Sequence, residues 1–120
     1  FEVSYLADVF EKTLFDTIYH EHLAYHAVAP LVPFLAAHGL ELIAADRVAS
    51  HGGSIRCVAQ RAGAGRPVAK SVTERLVEEA ALNLSDPATL QATLVCLLKT
   101  EADTGTVTTE VSQRLAGRVA

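Results

Sequence analysis

Leu6, Val9, Phe10 and Leu14 recur at helical spacing in LADVFEKTL, which predicts a short amphipathic helix within residues 6–14. The preceding FEVSY reads as the end of a buried strand over residues 1–5. FDTIYHEHLAYH carries competing helix and strand periods, so its conformation stays open. From Val28 the pattern clears. Pro30 suits the first turn of a helix, the stripe Leu31, Phe34, Leu35 continues it, and His38-Gly39 stops it. LELIAADRVA over residues 40–49 then predicts a strand. In SHGGS the paired glycines tolerate positive φ, which is turn chemistry. SIRCVAQ alternates Ile55, Cys57 and Ala59 against Arg56, Val58 and Gln60, so the two runs read as an antiparallel hairpin.

RAGAGRP, residues 61–67, reads as a flexible linker. Ser71 and Glu74 have capping-box spacing before a helix carrying Leu76, Val77, Ala80 and Ala81. Asp86-Pro87 forms an N-cap and first-turn pair for a second helix with Leu90, Leu94, Leu97 and Leu98. Past Thr100 the threonine-rich TEADTGTVTTEV favours no single element, and no internal repeat is visible.

Composition narrows the function classes. With 50% apolar residues in 120, the chain can bury a core. A net charge of −4 gives no basic footprint for nucleic acid. No apolar run reaches the roughly 18 residues of a membrane span, and no basic start leads into a signal segment, so a cytoplasmic protein is expected. Cys57 and Cys96 match neither a CxxC motif nor a small disulfide framework, and both are expected reduced and buried. The sequence contains no methionine and opens on FEVSYL, which leads us to expect a segment of a longer protein, with some apolar surface left over from an interface.

The stretch IYHEHLAYH, residues 18–26, concentrates three histidines, one glutamate and two tyrosines. Three readings stay open on these residues alone. On a helix His22 and His26 share a face; on a strand His20, His22 and His26 do; either arrangement suits zinc with a fourth ligand. The same residues also serve as packed, hydrogen-bonded polar groups without chemistry. The third reading is acid–base work: histidine titrates nearest neutrality, a carboxylate such as Glu21 orients an imidazole, and Tyr19 donates to a developing oxyanion.

Three landmarks, FDTIYHEHLAYH, the HGLEL helix-to-strand junction and the HGGSIR turn, occur in an order and spacing that closely resemble the bacterial S-adenosylmethionine-dependent sugar C-methyltransferases, which act on nucleotide-linked 4-keto deoxysugars. The likeness covers about residues 1–91 and fades from Ala92, where LVCLLKTEADTGTVTTEVSQRLAGRVA departs from the family's long helix and glycine-rich strand turn.

The resemblance implies an α/β fold: part of a class I, Rossmann-like methyltransferase domain, ending in a closing antiparallel hairpin plus helices. Residues 1–62 would be the C-terminal portion of that catalytic domain, 63–100 a linker and helices beginning a C-terminal domain, and 101–120 a divergent tail. The donor's glycine-rich turn would lie in a missing N-terminal half; no GxGxxG occurs here, and GAGRP follows a hairpin, which is the wrong context. By the same resemblance His22 is the base that enolises the substrate, with Tyr19 and Glu21 in the same pocket. His51, Tyr25 and His20 are the substrate-side residues, the substrate is a nucleotide sugar, and the cofactor is S-adenosylmethionine. His51 has an equal reading as a loop-supporting turn residue, and Tyr25 and His26 as core. His38 reads as a helix C-terminal cation, and Arg56 as facing solvent or a carboxylate, with a sugar diphosphate as the alternative. Two other classes remain as alternatives: a non-catalytic remnant or interaction module, and a metal-dependent α+β enzyme using the histidine cluster.

Overall fold

An apolar-centred run such as LELIAADRV holds as a strand only when its ladder is paired and one face is covered. The computed structural model, which describes residues 1–14 and 23–103, meets both demands. Strand β2 (Leu40–Val48) pairs antiparallel with β3 (Ser54–Arg61), Leu40 opposite Arg61 and Val48 opposite Ser54, with a register irregularity between Leu42 and Ala44. Strand β1 (Glu2–Ser4) adds antiparallel to the other side of β3, Glu2 opposite Arg56. The sheet order is therefore β1-β3-β2.

Helix α1 (Leu6–Lys12) leaves β1 directly. Helices α2 (Val28–Ala37) and α3 (Lys70–Ala81) pack on β2 and on each other. Helix α4 (Pro87–Asp103) completes the described chain. Tyr5, Val28, Ile55 and Cys57 are the large side chains sealed from solvent, joined in one core by Leu35, Leu42, Val72 and Leu84. Full burial of a side chain such as Ile55 stabilises by about 1.5–3 kcal/mol. Because Val72 and Leu84 belong to this core, α3 and the turn after it are packed into the same body as the sheet.

Much of the expected pattern is present. The alternation of β3 is as predicted, Ile55 and Cys57 inward and Arg56 and Val58 outward. Gly52 and Gly53 both take positive φ in the hairpin turn. Asp86 caps α4 through a hydrogen bond accepted from Ala88 N at 3.0 Å. His38 is the C-cap residue of α2, its ring 2.8 Å from Phe34 O. Arg56 meets a carboxylate, that of Glu2, at 2.9 Å.

Several expectations are corrected. The Ser71–Glu74 capping box does not form. α3 starts at Lys70 behind Ala69, and Ser71 Oγ instead accepts a hydrogen bond from Ala45 N at 3.1 Å, tying the helix to β2. The inward face of α3 is Val72, Leu76 and Glu79, while Val77 is 64% exposed and Ala80 and Ala81 are also outside. Phe34 is 59% exposed and lies against the His38 ring, because Val28 and Leu35 supply the inward stripe of α2. Strand β1 spans three residues at a sheet edge and is only half covered. Strand β2 ends at Val48, before Ala49. Cys57 is buried but Cys96 is exposed. Among the described residues no helix is long and apolar enough to cross a membrane.

Candidate functional site

The turn between β2 and β3 is built around a close approach that glycine alone allows. Gly53 has φ +151°, and a Cβ there would lie 2.4 Å from both Cβ and Cγ of Asp8. Asp8 sits on α1 and is 3% exposed. Its Oδ1 accepts from Arg47 Nη2 at 2.9 Å and pairs with Lys12 Nζ at 2.7 Å. Burial acts to raise the Asp8 carboxyl, but the two cations outweigh it and hold it below the ordinary carboxylate value. Lys12 Nζ also donates to Gly52 O at 2.7 Å, so one ammonium bridges the helix end and the turn. Arg47 further engages Glu11 and Glu78, and lies 5.4 Å over the Tyr5 ring. The Asp8 hydrogen bond, the largest influence on Arg47, fixes it as a permanent cation by raising its already high pKa.

His51 is carried on this turn. It is exposed and stands in the left-handed region at φ 51°, ψ 43°. The rest of the HGGSIR landmark is structural: Ser54 Oγ donates to Ser50 O at 3.1 Å, Ile55 fills the core, and Arg56 pairs with Glu2. Ser50 and then Arg56 lower the Glu2 carboxyl by hydrogen bonding.

Tyr5 and the start of α2 form a second buried polar group. Ala27, Val28 and Ala29 offer no side-chain cap, which leaves helix N–H donors to be satisfied from elsewhere. Glu79 of α3 supplies the acceptors: Oε1 takes Val28 N at 2.6 Å and the Tyr5 hydroxyl at 3.0 Å, and Oε2 takes Ala29 N at 2.8 Å. Burial, then the Glu79 carboxylate, push the Tyr5 phenol well above its ordinary value. Burial likewise raises the Cys57 thiol, which removes it from consideration as a nucleophile.

Of the six expected site residues, Tyr19, His20, Glu21 and His22 lie outside the described residues. The residues on either side of them are placed. Leu14 packs beside the His51 turn, its Cδ1 3.2 Å from where a Cβ of Gly52 would be. On the other side His26 forms an isolated parallel bridge with Tyr5: Leu6 N donates to His26 O at 2.8 Å and His26 N to Ser4 O at 3.2 Å. Tyr25 is half-buried and lines a cleft of about 580 Å³ with Leu6, Pro30, Glu79, Leu84 and Leu90, as well as a shallower groove with Phe34. His51 lines neither of these two clefts. Among the described residues no group of three His, Cys, Asp or Glu is arranged to hold a metal ion.

Asp8, Lys12 and Arg47, which tie α1 to the hairpin, and Glu79, which ties α3 to Tyr5 and the start of α2, were not singled out from the sequence. One signal was available for Glu79: a helix opening Ala-Val-Ala without a capping side chain needs an acceptor from another element.

A mixed α/β unit with a short antiparallel sheet is compatible with part of a methyltransferase fold, and comparison with known proteins relates the chain to that class. The relative is the C-methyltransferase NovU of Streptomyces niveus, 38% identical over 78 residues, which are 65% of this chain and 19% of NovU. The chain thus spans about a fifth of the length of the relative it matches. No protein-family model matches it.

Proposed function

We propose that this chain is the C-terminal portion of the catalytic domain of an S-adenosylmethionine-dependent C-methyltransferase, acting in the cytoplasm on a nucleotide-linked 4-keto deoxysugar. The identity of 38% over 78 residues with a protein named as a C-methyltransferase carries this reading. The arrangement of elements supports it. A strand edge, an intervening segment, a helix and an antiparallel hairpin follow in the order implied for the closing part of a class I, Rossmann-like domain. Residues 1–62 belong to that domain in this reading, 63–100 begin the C-terminal one, and 101–120 are a divergent tail.

The methyl group comes from S-adenosylmethionine, whose glycine-rich binding turn these 120 residues do not contain. What this chain contributes is proton chemistry. A carbon beside a ketone is a weak acid, and removing its proton needs a placed base and stabilisation of the enolate oxygen. His22 is that base, with Tyr19 and Glu21 handling or orienting the proton. His51, Tyr25 and His20 face the nucleotide sugar.

Replacing the aligned stretch of NovU with that of this chain tests the reading. The chimera is expected to methylate the keto sugar and to exchange the substrate's α-hydrogen with deuterated water. His22→Asn should lower both activities together by at least the roughly 10²-fold typical of losing general acid–base catalysis, and leave donor affinity unchanged. Exchange at the parent rate in His22→Asn would reassign the base, and a chimera with no methyl transfer would refute the reading.

A further inference from the structure

Two residues that are not glycine take left-handed backbone on either side of one contact. Thr13 has φ 54° and ψ 49° as the C-cap residue of α1, and His51 has φ 51° in the hairpin turn. Left-handed backbone is uncommon outside glycine, and more so for a β-branched residue such as threonine. It persists only where the surroundings over-determine it, and such strain gathers at functional sites. Here the surroundings are explicit. Lys12 precedes Thr13, and its ammonium donates to the carbonyl of Gly52, the residue after His51. Asp8 keeps that ammonium in place at 2.7 Å, while its own side chain fills the space in front of Gly53. Leu14, following Thr13, closes against Gly52. The turn is therefore fixed to α1 at the two residues that follow the histidine, by a charged hydrogen bond and an apolar contact at Gly52 and a steric contact at Gly53. The exposed His51 imidazole takes no part in any of these contacts, so the clamp holds the backbone that carries the ring and leaves the ring itself unused.

We propose that Lys12 is a positioning residue for His51, anchored by Asp8, and acts on the reaction through that histidine. This rests on the proposed function, because it gives His51 a substrate to face. Removing the ammonium leaves Asp8 paired with Arg47, and Lys12 is partly exposed, so Lys12→Met is expected to fold.

The test has two arms. In the 120-residue chain, nuclear magnetic resonance should show the amide signals of Gly52 and Gly53 and the His51 ring signals shifted and broadened in Lys12→Met, and restored in Lys12→Arg. In the chimera with NovU, Lys12→Met should lower kcat for methyl transfer about 10-fold, within the loss a misplacement of about 1 Å can cause, with KM for the methyl donor unchanged and with recovery in Lys12→Arg. Because Lys12 acts through His51, the effect should vanish in a His51→Asn background. An active chimera in which Lys12→Met costs as much beside His51→Asn as beside His51, or in which the turn signals do not move, overturns the positioning role alone. A wild-type chimera without methyl transfer overturns the proposed function, and this inference with it.

Discussion

Replacing Gly53 with alanine isolates the close approach that builds the hairpin turn. The added Cβ would meet Asp8 Cβ and Cγ at 2.4 Å, well inside the separation that carbon atoms tolerate. Asp8 cannot swing its carboxylate away without leaving Arg47 and Lys12, and its Cβ position is fixed by the α1 backbone whatever the rotamer, so no rotamer change relieves the contact. The backbone itself must move. Overpacking of this kind costs about 1–3 kcal/mol, and a Cβ at positive φ adds about 1–2 kcal/mol. We expect Gly53→Ala to lose roughly 2–5 kcal/mol, the sum of those two terms.

Gly63→Ala is the control. That glycine also has positive φ, 79°, but a Cβ there meets nothing within 4 Å. It should lose only the conformational part, about 1–2 kcal/mol. Urea titration followed by circular dichroism measures both, and an unchanged slope with a lower midpoint identifies a true loss of stability. For a chain of 120 residues a gap of about 2 kcal/mol corresponds to roughly 8 °C in Tm. Equal losses from the two substitutions would show that the Asp8 contact carries nothing and that φ alone sets the need for glycine.

Two further outcomes are expected. Glu79→Ala strands Val28 N and the Tyr5 hydroxyl in a buried setting and Ala29 N in a part-buried one and should lose about 3 kcal/mol, with Glu79→Gln losing less; a thermal melt unchanged in Glu79→Ala would refute the capping role. Asp8 is held below its ordinary value of 3.8, so its contribution is complete above about pH 4 and is lost as pH falls through the lowered folded value; the urea midpoint of the wild type should drop more steeply below about pH 4 than that of Asp8→Asn.

What could be read from the sequence was whatever a local period or a turn residue determines. The β3 alternation, the glycine pair at 52–53, the α2 stop at His38 and the Asp86 cap are set by residues within a few positions of one another. The inward face of α3 was not legible, because Glu79 displaces apolar residues there only through partners 51 and 74 positions away. The Arg47–Asp8 pair spans 39 positions and is hidden for the same reason. A charged side chain reads as solvated until its partners are known. Val77 and Phe34 went wrong in the complementary way: apolar residues at helical spacing mark a stripe, but which part of the stripe faces inward is decided by the neighbouring elements. Of the candidate site, the YHEH stretch was visible as a motif, and the glycine pair marked the turn that carries His51, while the cleft that Tyr25 lines is made with residues of α3 and beyond and could not be read from local spacing.

The residues on the two sides of that stretch are fixed by different parts of the chain. Leu14 closes on the 50–53 turn, which α1 clamps through Asp8 and Lys12. His26 is bridged to Ser4 and Leu6, and the helix starting two residues later is capped by Glu79 from α3. One anchor therefore lies in the hairpin and the other in a helix beyond residue 63. Under the proposed reading, any chemistry of Tyr19, Glu21 and His22 depends on both, and the boundary drawn between residues 62 and 63 separates two halves of one support. A carboxylate that caps α2 with both oxygens and also takes the Tyr5 hydroxyl couples α3 to the sheet edge and to the exit of the YHEH stretch at once. Under the same proposed reading, that coupling would give α3 a supporting part in the site with no reacting group of its own.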